Sequence, residues 1–267
     1  TFKDFTLMTS AVAKPDVLNI ELQGDIAVLT MTRPAKRNAM NDDLLGALKA
    51  FFMDPPKEAR AVVLTGTAGH YCSGLDLSEH VKRSTEETLY HSRNWHGVMD
   101  MIQFGGLPVV SAIFGAAIGG GLELATSTHV RIAEPSTIFQ LPEGRRGIFV
   151  GGGATVRVGR ILGADRMTEM MLTGRKFNAE EGVQLGLAHY AVGDGEALAL
   201  AMELAGKIAR NAPMSNYMMI NSISRINDMS KADGLYVESL SAAVSQSGPD
   251  ADEGLRAFLE KRAPKFR

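Results

Sequence analysis

Short apolar runs rich in β-branched residues recur along the chain, and each predicts a buried or half-buried strand. Two runs, at residues 17–22 and 26–31, flank Gln23-Gly24-Asp25, a sequence typical of a hairpin turn. Further strands are predicted at residues 61–66, 108–115, 130–133 and 187–192. Helical patterns separate these runs, which favours a parallel α/β body with crossover helices.

Helix start signals stand between the predicted strands. Asn41 or Asp42 can cap a helix that ends before Pro55, and Ser84 or Thr85 can cap a longer one that ends near residue 104. Shorter helices are predicted at residues 153–163, 165–172 and 179–185. Residues 1–16 are predicted to form a loose leader ahead of the first strand.

After Gly195 the strand pattern stops and only helical periodicity remains. Helices are predicted at residues 197–210, 214–228, 232–246 and 251–262. We therefore divide the chain into a strand–helix body, residues 1–195, and an all-helical region, residues 196–267.

Charge and composition exclude several classes of protein. The 28 basic and 30 acidic side chains leave a net charge of −2, which argues against nucleic-acid binding by bulk charge and against an electrostatic membrane anchor. The uncharged stretch 101–122 could span a bilayer by length, but its six glycines and one proline favour a buried strand and a glycine loop. No signal-peptide pattern opens the chain, and Cys72 is the only cysteine, which predicts a reducing, cytoplasmic setting.

A glycine triplet, Gly119-Gly120-Gly121, lies between the apolar run 108–115 and a predicted helix that begins at Leu122-Glu123. Glycines at a strand-to-helix junction let the backbone approach a ligand without a Cβ in the way. The first N–H groups of the helix then stabilise negative charge. A dinucleotide-binding fingerprint has a similar glycine spacing, but it belongs in an opening βαβ unit rather than in the middle of a chain.

Two carboxylates accompany this junction. Glu123 lies in a turn of apolar residues, where an unpaired carboxylate is costly, and Glu143 follows 20 residues later, just before Gly151-Gly152-Gly153. Backbone N–H donors beside two carboxylates suit chemistry on a carbonyl that becomes an oxyanion while a proton moves nearby.

Five motifs stand in a specific order along the chain: Arg33-Pro34 with Asn38-Ala39-Met40, Tyr71-Cys72-Ser73-Gly74-Leu75-Asp76-Leu77, Gly119-Gly120-Gly121-Leu122-Glu123-Leu124-Ala125, Gln140-Leu141-Pro142-Glu143, and Phe258-Leu259-Glu260-Lys261-Arg262. Together they resemble the crotonase (enoyl-CoA hydratase/isomerase) superfamily. Each motif alone is weakly specific, but the set of five extends the similarity from about residue 17 to residue 266.

This resemblance implies a fold as well as a ligand. The α/β body would be a spiral of repeated ββα units, and the C-terminal helical region would form trimers or hexamers built as dimers of trimers. The ligand would be an acyl-CoA thioester, so that coenzyme A enters as part of the substrate. No metal, redox cofactor, nucleic acid or membrane partner is expected.

The resemblance also implies roles for individual residues. By position, the N–H groups of Leu75 and Gly120 would form an oxyanion hole for the thioester oxygen, while Glu123 and Glu143 would hold a water and shuttle its proton. Because Ala35 stands where many relatives have a lysine that meets CoA, Lys36 or Arg37 would replace it. The implied contacts to CoA are Lys36, Arg37, Ser73, Gly74 and Asp76, with Phe258 and Lys261 supplied by a neighbouring subunit.

The expected reaction is the hydration of an α,β-unsaturated acyl-CoA to a 3-hydroxyacyl-CoA. Alternatives on the same scaffold are double-bond isomerisation, thioester hydrolysis and retro-aldol cleavage of an aromatic hydroxyacyl-CoA. The last of these would need a tyrosine near the acyl group, with Tyr90 and Tyr236 as candidates. A non-catalytic CoA- or RNA-binding protein is a further alternative, which the intact glutamate pair and the near-neutral charge disfavour.

Arg145 and Arg146 depart from the family pattern, which usually has apolar residues after this glutamate. They either contact a carboxylate on an unusual acyl group or pair with the protein's own acids, and we expect the second. Cys72 is expected to be a small loop residue rather than a nucleophile. Four apolar side chains are expected to line either an acyl pocket or the core, namely Trp95, Met99, Met101 and Phe104. The histidines have no metal-ligand spacing and are expected to be surface or core residues, namely His70, His80, His91, His96, His129 and His189.

Overall fold

The computed structural model describes residues 17–79 and 82–266, so the predicted leader and His80 lie outside the described residues. The strands within these ranges are β1 (Leu18–Gln23), β2 (Ile26–Met31), β3 (Ala61–Thr65), β4 (Val109–Ile113), β5 (Ala116–Ile118), β6 (Val130–Ala133), β7 (Ile138–Gln140) and β8 (Tyr190–Ala191). The helices are α1 (Asp42–Met53), α2 (Thr85–Phe104), α3 (Gly120–Ser127), α4 (Ala154–Leu162), α5 (Ala164–Thr173), α6 (Ala179–Leu185), α7 (Ala197–Ala209), α8 (Pro213–Ile226), α9 (Lys231–Gln246) and α10 (Pro249–Leu259).

The main sheet has the strand order β1-β2-β3-β4-β6-β8. β1 and β2 form an antiparallel hairpin, and each later neighbouring pair is parallel. Every residue of β3 and β4 is buried, as expected for parallel strands covered on both faces. β5 and β7 pair in a separate two-stranded parallel sheet.

Alternate strand residues belong to two different cores, because successive side chains of a strand point to opposite faces. Val62 and Leu64 pack in the larger core with residues of α1, α2 and α3, whereas Ala61 and Val63 pack with α7. The face of α7 that meets the sheet consists of alanines four positions apart, Ala197, Ala201, Ala205 and Ala209. Thus α7, which the sequence assigns to the helical region, shares a core with the strands. The division at residue 195 stays a prediction.

Helix starts lie where the sequence places them. The Asn41 side chain accepts from the backbone N–H of Leu44, and Ser84 forms a reciprocal capping box with Glu87. α2, α3 and α4 pack against one another, so the glycine triplet, its helix and the segment before α4 meet in one region. No helix of the described residues is long and apolar enough to cross a membrane.

The strand predicted at residues 108–115 is confirmed as β4, Val109–Ile113, and the chain turns at Gly115 and continues in the second sheet. Gly115 has a φ of 57°, and a Cβ there would overlap the carbonyl oxygen of Gly69, so glycine is required. β5 and its partner β7 have no prediction in the sequence, since three-residue strands carry too little periodicity. The last strand is also shorter than predicted, Tyr190–Ala191 instead of 187–192.

Candidate active site

An open cavity lies where the two glycine-bearing turns meet. It encloses about 980 Å³ of empty space, counted out to its mouth. Its walls come from the loop after β3, the start of α3, a 3-10 turn at Glu143–Arg146, the glycine segment 151–152 and one face of α2. The four residues expected to form the oxyanion hole and the glutamate pair are brought together here. All of them line the cavity: Leu75, Gly120, Glu123 and Glu143.

Two backbone turns are pressed together at Gly74 and Gly120. Gly74 has a φ of 95°, and a Cβ there would lie 2.6 Å from the carbonyl oxygen of Ile118 and 3.1 Å from the amide nitrogen of Gly120. Only glycine allows this approach. The amides of Leu75 and Gly120, which the family resemblance pairs in an oxyanion hole, therefore lie on adjoining backbone segments.

Hydrogen bonds to Met40 orient the Leu75 amide. The Met40 N–H donates to the Gly74 carbonyl at 2.7 Å, and the Asp76 N–H donates to the Met40 carbonyl at 2.9 Å. In such a parallel bridge the residue between them, Leu75, turns its own N–H away from the partner strand. Within the described residues, no backbone carbonyl accepts from Leu75 or from Gly120.

Glu123 lies in the first turn of α3 and is 3% exposed. Its Oε1 accepts from the backbone N–H groups of Gly152 at 2.8 Å and Ala154 at 3.0 Å. Burial raises the pKa of Glu123, and these two bonds together with the charge of Arg157 oppose that rise. Glu123 is thus a carboxylate whose ionised form has dedicated donors.

Glu143 begins the 3-10 turn and has different surroundings. Its Oε2 is buried and has no hydrogen-bond partner among the described residues. Burial first, and then the nearby charge of Glu123, raise the pKa of Glu143 to about 7, while Arg146 opposes the shift. Because an unsatisfied buried oxygen is costly, this one marks a place for a water or a substrate atom.

The loop residues predicted to contact CoA divide into two groups. Ser73 and Gly74 line the cavity, whereas Asp76 is buried behind it, paired with Arg33 at 2.9 Å. The Lys36 ammonium donates to the Ser78 hydroxyl at 2.6 Å, and the Arg37 carbonyl accepts from the Ser73 amide at 3.1 Å. The structure therefore places Asp76 as an internal brace of this loop, with Lys36 and Arg37 beside the loop rather than in the cavity.

Phe258 and Lys261 lie at the end of α10 and do not line the cavity of their own protomer. Phe258 is 80% exposed, which leaves its ring free to contact another molecule. Tyr90 and Tyr236 are also exposed and outside the cavity, so within the described residues no tyrosine reaches the site.

The two unusual arginines diverge. Arg145 donates to the backbone carbonyl of Thr173 at 2.7 Å, and Arg146 lines the cavity. Neither makes an ion pair with an acid in the part of the chain that is described, so the expectation that both do is not confirmed. Cys72 is buried, and burial raises its pKa to about 12, which fits a loop residue rather than a nucleophile. The described residues contain no cluster of three or more potential metal ligands.

Trp95 lines the cavity, as one of the side chains predicted to line either an acyl pocket or the core, but other residues of the site carry no signal in the sequence. Arg157 of α4 donates to the Gly152 carbonyl at 3.1 Å and to Asp100 at 2.6 Å, and so braces the segment that binds Glu123. The Trp95 ring packs between Gly120 and Gly152. Arg83, His91 and Phe149 line the cavity as well. Only the contacts between distant segments reveal the positions of Arg157, Arg83, His91 and Phe149 in the site.

Comparisons with known proteins agree with this architecture. A family model described as enoyl-CoA hydratase/isomerase matches residues 21–267. Enoyl-CoA hydratase EchA19 of Mycobacterium tuberculosis is 31% identical over 265 residues, which cover 97% of this chain and 99% of that protein.

Solved structures match over a similar length. A proposed enoyl-CoA hydratase of Rhodopseudomonas palustris CGA009 is 45% identical, with a TM-score of 0.90 over 94% of this chain and 98% of that one. The enoyl-CoA hydratase of Bacillus anthracis is 30% identical, with a TM-score of 0.88 over 94% and 98% of the two chains. These matches confirm the fold class implied by the five motifs.

Proposed function

Because the chain belongs to the enoyl-CoA hydratase/isomerase family, we propose that it adds water across the α,β double bond of an enoyl-CoA to give a 3-hydroxyacyl-CoA. The observation that carries the proposal is the unequal pair of carboxyl groups in one cavity. Glu123 has two amide donors that favour its ionised form, and Glu143 has a pKa near neutrality and an unsatisfied oxygen.

The proposed chemistry follows from this asymmetry. The thioester oxygen accepts hydrogen bonds from the amides of Leu75 and Gly120, which stabilise the charge that develops on it. Ionised Glu123 holds the water and takes its proton as the oxygen attacks the β-carbon. Protonated Glu143 gives its proton to the α-carbon. The proposed reaction uses no metal or redox cofactor.

Binding of the CoA moiety is proposed from the family pattern. Ser73 and Gly74 would contact it from the cavity, Lys36 and Arg37 from beside the loop, and Asp76 would hold that loop through Arg33. Phe258 and Lys261 would reach the CoA of a neighbouring subunit in a trimer or hexamer. Support for this assembly comes from exposed apolar side chains on α8, α9 and α10, namely Met214, Tyr217, Met219, Ile223, Leu235, Tyr236, Leu240, Val244, Leu255, Phe258 and Leu259. We also propose a cytoplasmic enzyme of fatty acid metabolism, consistent with its single buried cysteine.

The decisive test is Glu143→Gln, which keeps the size of the side chain but cannot donate or accept the proton in the same way. We expect kcat to fall at least about 100-fold, typical for loss of a general acid–base group. Glu238→Gln, an exposed change on α9, serves as the control. Near-wild-type turnover of the Glu143 variant on every enoyl-CoA tested would reject the proposal.

The alternative reactions of the family give different products. Hydration removes the absorbance of the enoyl thioester without releasing free CoA, whereas hydrolysis releases CoA and isomerisation moves the double bond at constant mass. Retro-aldol cleavage is the least supported alternative, because Tyr90 and Tyr236 lie outside the cavity. Product masses from short-chain, long-chain and aromatic enoyl-CoAs would separate hydration, hydrolysis and cleavage, and a change of absorbance at constant mass would identify isomerisation.

A further inference from the structure

One wall of the cavity carries several polar side chains. α2 presents Thr88, His91, Ser92 and Trp95 to the cavity, at positions i, i+3, i+4 and i+7 of one helix face. Three of these four side chains are polar, and Arg83 lines the cavity just before the helix. The hydroxyls of Thr88 and Ser92 donate to backbone carbonyls of the protein itself, at 2.8 Å and 2.7 Å. The groups left to select a ligand are therefore the charged side chains that line the cavity.

Arg146 faces the same space from the opposite element. It is the last residue of the 3-10 turn that begins with Glu143. Side chains three residues apart on such a turn eclipse one another, about 6 Å apart along the axis. Arg146 and Glu143 both line the cavity, and the charge of Arg146 acts on the Glu143 carboxyl.

The guanidinium of Arg146 forms no ion pair with an acid in the part of the chain that the structure describes. Among residues 17–79 and 82–266 it makes no hydrogen bond or ion pair, although its charge acts on Glu143. Its neighbour Arg145 is turned to the Thr173 carbonyl and stays outside the cavity. Arg145 is thus hydrogen-bonded within the protein, whereas Arg146 is available to bind a ligand.

A second cationic group stands nearby but is shared with a rim carboxylate. Arg83 lies 3.6 Å and His91 3.3 Å from the carboxyl oxygens of Asp42, whose side chain is 72% exposed. Exposed ion pairs of this kind contribute little, so a ligand carboxylate could replace Asp42 at modest cost. Ile148 and Phe149 supply apolar surface in the same cavity, which suits the methylene groups of an acyl chain.

We propose that the preferred substrate is a short-chain enoyl-CoA whose acyl group ends in a carboxylate, and that Arg146 binds this carboxylate. The inference rests on the proposed function, because it assumes that the double bond lies between Glu123 and Glu143. From that position, with the thioester oxygen at Leu75 and Gly120, the acyl chain extends toward Arg146 and α2. The CoA moiety leaves on the other side, toward Ser73.

The test compares two substrates of equal chain length. trans-2-Hexenedioyl-CoA ends in a carboxylate, and trans-2-hexenoyl-CoA ends in a methyl group. We expect wild-type enzyme to have the higher kcat/KM for the diacid derivative. Arg146→Gln should lower the ratio of the two kcat/KM values by about 10- to 100-fold, as expected for loss of a charge-assisted hydrogen bond. Arg145→Gln is the matched control and should leave the ratio unchanged, because Arg145 does not line the cavity.

Binding without turnover gives a second readout. Adipyl-CoA and hexanoyl-CoA, the saturated counterparts, compete for the site without reacting. Adipyl-CoA should be the tighter competitor for wild-type enzyme and should lose this advantage in Arg146→Gln, even if that variant has a low kcat. Thermal unfolding of both variants checks that they are folded.

The outcomes distinguish a failure of the carboxylate inference from a failure of the proposed function. The carboxylate inference would be overturned if wild type has nearly equal kcat/KM values for the two substrates and Arg146→Gln leaves their ratio unchanged. The proposed hydration would still stand. Equal losses on both substrates would also overturn the carboxylate inference, since Arg146 would then act on CoA or on Glu143. Failure to hydrate either of these substrates or any other enoyl-CoA would instead overturn the proposed function.

Discussion

At the scale of single residues, chemically identical side chains acquire different properties from their surroundings. Glu123 and Glu143 are both buried glutamates in one cavity, yet Glu123 accepts two backbone hydrogen bonds and Glu143 has an oxygen with no partner in the described residues. Hydrogen bonds to the ionised form hold a carboxyl group charged, and burial without them favours the neutral form. This difference assigns the base to Glu123 and the acid to Glu143 in the proposed reaction.

The raised pKa of Glu143 predicts a pH-dependent stability. Its pKa shifts from 4.5 to about 7 on folding, so the folded protein binds this proton more tightly than the unfolded chain. The resulting stability is complete below pH 4.5 and is lost as the pH rises through about 7. The side chain of the Glu143→Gln variant cannot ionise. As the pH rises from 4 to 8, the free energy of unfolding of wild type should therefore fall by roughly 1–3 kcal/mol relative to that of the variant.

Urea unfolding of both proteins across that pH range measures the difference. Glu238→Gln, on the exposed face of α9, should follow wild type at every pH. Parallel curves for wild type and Glu143→Gln would contradict the raised pKa.

At the scale of elements, the site depends on how neighbouring segments brace one another. Arg157 of α4 connects α2, through Asp100 and Gln103, to the Gly152 carbonyl, and the amide of Gly152 in turn binds Glu123. Arg157 touches no reacting atom, so it is a positioning residue for Glu123. Its charge also opposes the rise of the Glu123 pKa.

Arg157→Met should lower kcat by roughly 10- to 100-fold, because the segment that positions Glu123 is released. It should also shift the acidic limb of the pH–rate profile to higher pH, since Glu123 loses a neighbouring positive charge, with Glu143 and Asp100 left nearby. Arg160→Met on the same helix removes only an exposed pair with Asp228 and serves as the control. If the acidic limb of the pH–rate profile of Arg157→Met stays where it is in wild type, Arg157 has only a structural role.

The contact between the two glycine turns gives a second prediction at this scale. Gly74→Ala would push its Cβ to 2.6 Å from the Ile118 carbonyl and separate the Leu75 and Gly120 amides, and we expect roughly a 100-fold loss of kcat. Gly24→Ala is a suitable control, because Gly24 also has a positive φ but has nothing within 4 Å of the added Cβ. Both variants should lose about 1 kcal/mol of stability from backbone strain, but only the first should lose activity. Equal kcat values for both would show that the two amides do not act together.

At the scale of the whole molecule, the helical region after α7 leaves apolar surface uncovered. α8, α9 and α10 contact few strands, and Phe258 of α10 is 80% exposed. Exposed apolar side chains that form a large patch usually mark an interface. In the proposed assembly the same surface completes the CoA site of a neighbouring protomer.

Light scattering should therefore give a mass three or six times 28.7 kDa. Phe258→Ala should raise KM for an enoyl-CoA by several-fold with a smaller effect on kcat, because the ring would contact CoA and not the reacting atoms. Leu172→Ala, on α5 and also 80% exposed, is the matched control. A fully active 28.7-kDa monomer would contradict both the assembly and the shared site.

The sequence by itself determined the order of most strands and helices, the glycine turns and the identity of the two glutamates. It could do so because hydrophobic periodicity, helix caps and glycine junctions are local patterns that few other structures satisfy. It did not reveal the turn at Gly115, the short strands of the second sheet or the inward position of Asp76, which pairs with a residue 43 positions away.

Only the tertiary structure decided which glutamate accepts two backbone hydrogen bonds, which arginine lines the cavity and what braces Glu123. The Gly152 amide that binds Glu123 lies 29 residues further along the chain. A pKa depends on every charge and hydrogen bond around a group, and these come from segments that sequence order leaves far apart.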